Sequence, residues 1–111
     1  MKVLNTTLLF IFASFLGGTL IVSSQSSSLK TKHVIEIKKM KFIPSELVVH
    51  KGDTIVWINR DIFPHDVTEL KNKIWSSSNL LQGKSWYKVI TKSEDYYCSL
   101  HIVMKGKIIV K

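Results

Sequence analysis

From His33 to its end the chain is written in short apolar alternations of period two, separated by turn residues, and no segment carries a helical stripe over three turns. Val34-Ile35-Glu36-Ile37 opens the series, Glu46-Leu47-Val48-Val49 repeats it, and Thr54-Ile55-Val56-Trp57-Ile58-Asn59 is rich in β-branched and aromatic residues. Trp86-Tyr87-Lys88-Val89-Ile90, Asp95-Tyr96-Tyr97-Cys98 and Lys107-Ile108-Ile109-Val110 complete it. Lys51-Gly52-Asp53 is a turn signal at hairpin spacing, and Asn79 to Lys84 has room for one short helical turn. Short strands with one apolar face each need a second layer to cover that face, so the pattern predicts an all-β sandwich or barrel. Trp57, Ile55 and Phe42 are assigned to its core. Pro44 marks a break or an edge position.

At 111 residues the chain holds one domain. Met1-Lys2, the apolar run Leu8 to Leu16, the Gly17-Gly18 break and the small residues Val22-Ser23-Ser24 read as an export signal over 1–24. Residues 25–32 form a flexible lead-in and 33–111 the folded domain. The expected location is periplasmic or otherwise exported, with a membrane contact only if the signal is kept as an anchor. No cysteine stands at the cleavage point, which excludes a lipid-modified N-terminus.

The formal charge is +8. Its lysines are scattered singly and in pairs and Arg60 is the sole arginine, so the charge points away from nucleic acid and toward acidic protein partners or surfaces. Cys98 is the only cysteine and cannot form an internal disulfide. A free thiol in an exported protein needs another reason.

Cys98-x-x-His101-x-x-Met104 supplies that reason. Thiolate, imidazole and thioether at this spacing, placed on a loop between strands, can curl round one point. A cupric electron-transfer site wants a second imidazole as well. His33 and His50 lie at positions expected to be exposed, whereas Phe63-Pro64-His65-Asp66-Val67 gives His65 an apolar setting and a fixed approach. The candidate set is therefore His65, Cys98, His101 and Met104. Structural zinc prefers more thiolates, and covalent haem or thiol redox chemistry needs a second cysteine. A Cys98 and His101 nucleophile pair is conceivable but leaves Met104 without a task. Ligand softness favours copper.

Those residues carry a family resemblance. Lys39-Met40-Lys41-Phe42, Gly52-Asp53-Thr54-Ile55-Val56-Trp57-Ile58-Asn59-Arg60, Pro64-His65-Asp66-Val67 and Tyr97 to Lys107 make the chain resemble the cupredoxins from Val34 to Val110, most closely their amicyanin-like members, which share the short two-and-two ligand spacing. The resemblance implies a Greek-key β-sandwich binding one type 1 copper through His65, Cys98, His101 and Met104. It further implies a monomeric, non-enzymatic carrier of single electrons, working between redox proteins such as a donor dehydrogenase or a cytochrome with acidic docking surfaces. A copper storage or delivery protein uses the same ligands and is the alternative. Three positions depart from the family pattern: Asp66 stands where an asparagine is common, and Leu100 and Ile102 stand where prolines usually flank the loop histidine.

Overall fold

The computed structural model describes residues 14, 17–23 and 29–111. Most of the expected signal, its boundary at 24 and Gln25 to Ser28 lie outside the described residues. Residues 17–23 are exposed and without regular structure, and no described helix is long and apolar enough to cross a membrane.

Eight strands follow: β1 (Lys32–Lys38), β2 (Lys41–Ile43), β3 (Glu46–Val49), β4 (Thr54–Asn59), β5 (Thr68–Glu69), β6 (Ser85–Val89), β7 (Glu94–Cys98) and β8 (His101–Val110). They form two four-stranded sheets, ordered β2-β1-β4-β6 and β3-β8-β7-β5. The parallel pairs β1 with β4 and β3 with β8 join strands distant in sequence, as in Greek-key sandwiches. The all-β expectation holds, and the described residues contain no helix, the 79–84 segment included. β2 and β5, of three and two residues, are additional to the strands read from the sequence; elements so short cannot display a period. Pro44 directly follows β2, the edge strand of its sheet.

Alternation in β4 turns Ile55, Trp57 and Asn59 inward, and in β1 it turns Ile35 and Ile37 inward. These meet Tyr96, Cys98, Met104 and Ile108 of the other sheet in one core with Phe42, Val49, Val67, Leu80 and Ile90. Phe42 and Trp57 meet the Tyr96 ring edge to face at 4.8 and 5.5 Å between centroids. Each fully buried large apolar side chain contributes about 1.5–3 kcal/mol by burial, so this aromatic cluster anchors the facing of the sheets. The strands that enclose it also end together: β4 at Asn59, β7 at Cys98 and the start of β8 at His101 surround one end of the sandwich.

Candidate metal centre

The connection leaving β4 is folded by the side chain that ends the strand. The buried Asn59 amide donates to the carbonyls of Phe63 and Leu80, both at 2.8 Å, while its Oδ1 accepts the Asp61 N–H at 2.9 Å. Backbone hydrogen bonds between His65 and Leu80, at 3.1 and 2.7 Å, then pin the segment against the 76–80 stretch. Together they carry His65 into the interior with no solvent exposure.

Asp61 sets how that imidazole sits. Its Oδ2 accepts His65 Nε2–H at 2.9 Å, and a carboxylate can only accept, so a hydrogen lies on Nε2 and, in the neutral ring, Nδ1 is left with its lone pair. The same carboxylate accepts the amides of Lys39 at 2.7 Å and Met40 at 3.0 Å. Those two residues form the β1–β2 turn at φ of 54° and 59°, a left-handed conformation that hairpins of this kind usually fill with Asn-Gly. Burial pushes the Asp61 carboxyl upward, but the Met40 and Lys39 amides and the His65 ring outweigh it and hold it below its usual range.

On the other side, β7 ends at Cys98, and Ser99-Leu100 form a tight turn into β8. The sequence places Cys98, His101 and Met104 on a loop; in the structure His101 and Met104 are residues of β8. The cause is a register shift. Cys98 pairs with His101, but its neighbour Tyr97 pairs with Lys105, so Ile102, Val103 and Met104 are extra residues on one strand. Such a bulge re-aims side chains without ending the ladder. Met104 is left 3% exposed, in the same core cluster as Cys98.

Cys98 Sγ lies 3.8 Å from His65 Nδ1 and 3.8 Å from His101 Nδ1. All three donor atoms fall within 4.8 Å of one another, and they are the one such cluster among the described residues. The two imidazole rings sit 4.9 Å apart, tilted by 58°. An ion about 2.0–2.1 Å from nitrogen and about 2.3 Å from sulfur, at the centre of a trigonal set, separates sulfur from each nitrogen by about 3.8 Å. The three donors therefore fit a soft ion in both chemistry and spacing, and Met104, the fourth residue proposed from the sequence, is buried in the same core cluster as Cys98. Of the four residues proposed from the sequence, Met104 is buried in the core cluster that holds Cys98, and His65, Cys98 and His101 are brought together. His33 and His50 are not: His33 is tucked against Asp53 and His50 is exposed, both away from the cluster.

The sequence profile of the copper binding proteins of the plastocyanin/azurin family matches residues 29–111. The chain belongs to this family. It is 36% identical over 86 residues to amicyanin of Paracoccus denitrificans and 32% identical over 84 residues to amicyanin of Paracoccus versutus, each alignment covering 70% of this chain and 64% of the relative. It thus spans just under two thirds of the length of these relatives. The crystal structure of Paracoccus versutus amicyanin superposes with a TM-score of 0.66 at 28% identity, covering 72% of this chain and 81% of that one. A Cu(I) structure of an amicyanin variant gives a TM-score of 0.67 at 30% identity, covering 72% and 82%. The fold is that of a cupredoxin, and the cofactor of the family is copper.

Within this cupredoxin, Asn59 and Asp61 were not singled out from the sequence as parts of the site. A polar residue at an inward position of a strand was the available signal for Asn59, and a carboxylate four residues before the candidate imidazole was the one for Asp61. Asp66 keeps a backbone role: its N–H points at Cys98 Sγ at 3.4 Å.

Proposed function

We propose that the protein is a small exported blue copper protein that carries single electrons between partner proteins, with His65, Cys98, His101 and Met104 holding the metal. The observation that carries this reading is a buried thiol flanked at 3.8 Å by two imidazole nitrogens, one on a fully buried ring and one on a ring that reaches partial exposure. Copper in such a set supplies a Cu(II)/Cu(I) couple. The chain's own residues do the rest. Asp61 fixes the tautomer and direction of His65 before any ion arrives, and the Asp66 N–H is available to a thiolate at Cys98. Donors held by a packed core and two hydrogen-bonded segments have little room to rearrange between oxidation states, which keeps transfer fast.

His101 is the route to a partner. Its sequence neighbours Leu100, Ile102 and Val103, and Ile62 and Phe63 just before His65, are exposed apolar side chains, 45 to 85% accessible. A small apolar contact with a basic surround suits short-lived encounters with acidic redox proteins. A redox protein, either a donor dehydrogenase or a cytochrome, is the kind of partner this reading assigns.

Reconstitution of the purified domain with Cu(II) tests it. An intense visible charge-transfer band, bleached by reductant and absent in Cys98→Ser, is the expected result, and reversible cycling without metal loss separates a carrier from a delivery protein. Reduction by an acidic redox protein slows as ionic strength rises; a rate independent of salt would remove the docking part of the proposal. Sequencing the N-terminus of exported protein tests cleavage near residue 24.

A further inference from the structure

Asp66 is 4% exposed, and it joins the two segments that carry the metal donors. Its Oδ1 accepts the Ser99 N–H at 2.7 Å and the Thr68 hydroxyl at 3.0 Å, and the Ser99 hydroxyl donates to Oδ2. Three donors converge on two oxygens, an arrangement that an acceptor-only carboxylate satisfies completely. An amide in the same place could keep its oxygen on the Ser99 N–H and the Thr68 hydroxyl and donate its NH2 to the Ser99 hydroxyl, which accepts as well as donates, so the carboxylate differs from it chiefly in charge. The Thr68 hydroxyl also shares a 2.9 Å hydrogen bond with the Ser76 hydroxyl, which links the carboxylate to the segment that supports His65.

No cationic side chain pairs with Asp66 among the described residues; the ion pairs there involve Asp53, Glu36, Asp61 and Glu94. Its hydrogen-bond partners are all neutral groups, in a buried place one residue from His65 and next to the turn that follows Cys98. A buried charge without a counter-ion interacts strongly with any nearby change in charge. The change available here is that between a dipositive and a monopositive ion in the adjacent donor set.

We infer that Asp66 is a positioning residue with a second effect on the bound metal: its carboxylate clamps the Cys98 turn to the His65 segment, and its negative charge favours Cu(II) over Cu(I). The inference rests on the copper reading above. It assigns to this chain a more oxidised resting balance than a neutral residue at position 66 would give.

Asp66→Asn keeps the size and one acceptor and removes the charge. In this variant the ratio of Cu(I) to Cu(II) affinity, measured by competition with chelators of each ion, is expected to rise about tenfold, equivalent to about 59 mV for one electron. Thr68→Val removes one donor from the carboxylate, leaves its charge less compensated, and is expected to move the ratio the other way. The clamp has its own readout without metal: amide exchange of Ser99 in the apo-protein is expected to accelerate at least several-fold in Asp66→Ala. If Asp66→Asn does not fold, Thr68→Val and the wild-type Ser99 protection still test the inference. An unchanged or lowered Cu(I) preference in Asp66→Asn, or a Thr68→Val shift toward Cu(I), overturns the electrostatic effect. An unprotected Ser99 amide in the wild-type apo-protein overturns the clamp. Failure of wild-type protein to give the Cys98-dependent colour would instead remove the copper reading itself, so the two failures are distinguishable.

Discussion

Gly106 lies directly across the β7–β8 ladder from Tyr96, and the Tyr96 ring occupies the space that a side chain at 106 would need. A Cβ added there falls inside the van der Waals envelope of the ring's Cζ, hydroxyl and Cε2 atoms. The ring cannot retreat, because Phe42 and Trp57 pack on it edge to face. Gly106→Ala is therefore expected to cost about 1–3 kcal/mol through overpacking, read as a lower urea midpoint with an unchanged slope. A midpoint equal to wild type would mean that the aromatic cluster yields more readily than its packing implies.

The Tyr96 hydroxyl and the Trp57 indole N–H are both buried without a well-aligned hydrogen bond, and burial pushes the Tyr96 phenol up to about 12, with the Trp57 side chain pulling the other way. A buried hydroxyl that makes no hydrogen bond keeps its desolvation cost with nothing to offset it. Tyr96→Phe retains the ring contacts and removes that cost, so it is expected to leave stability unchanged or raise it by up to about 1 kcal/mol. Thermal unfolding of the apo-protein checks this. A clear loss would mean that the hydroxyl is satisfied in solution, with the buried Trp57 indole N–H as the partner.

The longer strands were legible in the sequence because each buries one face, and burial of one face writes a period of two. β2 and β5 leave no such trace, since three and two residues hold too few alternations. The candidate donor set could be put together for a different reason. Cys98, His101 and Met104 crowd into seven residues, and His65 is flanked by Pro64 and apolar neighbours. What could not be read was how strand geometry delivers them. The register shift after Tyr97 depends on pairing between two strands, and Asp61 reaches the Lys39-Met40 turn across more than 20 residues. Hydrogen bonds over such separations impose no local pattern. Asp53 is a similar case: visible as a turn residue, it also anchors the start of β1.

That anchor gives a pH prediction. Asp53 accepts His33 Nε2–H at 2.9 Å and the amides of Thr31 and His50, both at 3.0 Å. The His33 hydrogen bond first, then the two amides, hold its carboxyl far below the usual range. The folded state therefore binds this proton less tightly than the unfolded chain, whose aspartates titrate near pH 3.9. The stabilisation is complete above that value and is lost as pH falls below it. Urea unfolding of the apo-protein between about pH 6 and pH 3 should show stability declining over the acid half of that range. Asp53→Asn is expected to be less stable at pH 6 and to decline less steeply. It does not abolish the slope, because amide hydrogen bonds outweigh burial at Glu69 and Asp61 and depress those carboxyls as well. Parallel pH profiles for variant and wild type would contradict the role given to Asp53.

The two histidines beside Cys98 divide the work of the site between folding and access, and metal-free variants can show it. His65 has no exposed surface and satisfies Asp61. Its removal in His65→Ala leaves a cavity in the core and takes a hydrogen-bond donor from a partly buried carboxylate, a combined cost of about 2–4 kcal/mol. His101 is partly exposed and its nearest polar neighbour is Cys98 itself, so His101→Ala is expected to cost less than about 1 kcal/mol. Both variants are expected to lose the blue colour with Cu(II), while urea denaturation of the apo-proteins separates them. Equal stability losses would mean that the His101 ring is as much a part of the packed core as His65, and would close the route to a partner through its exposed edge.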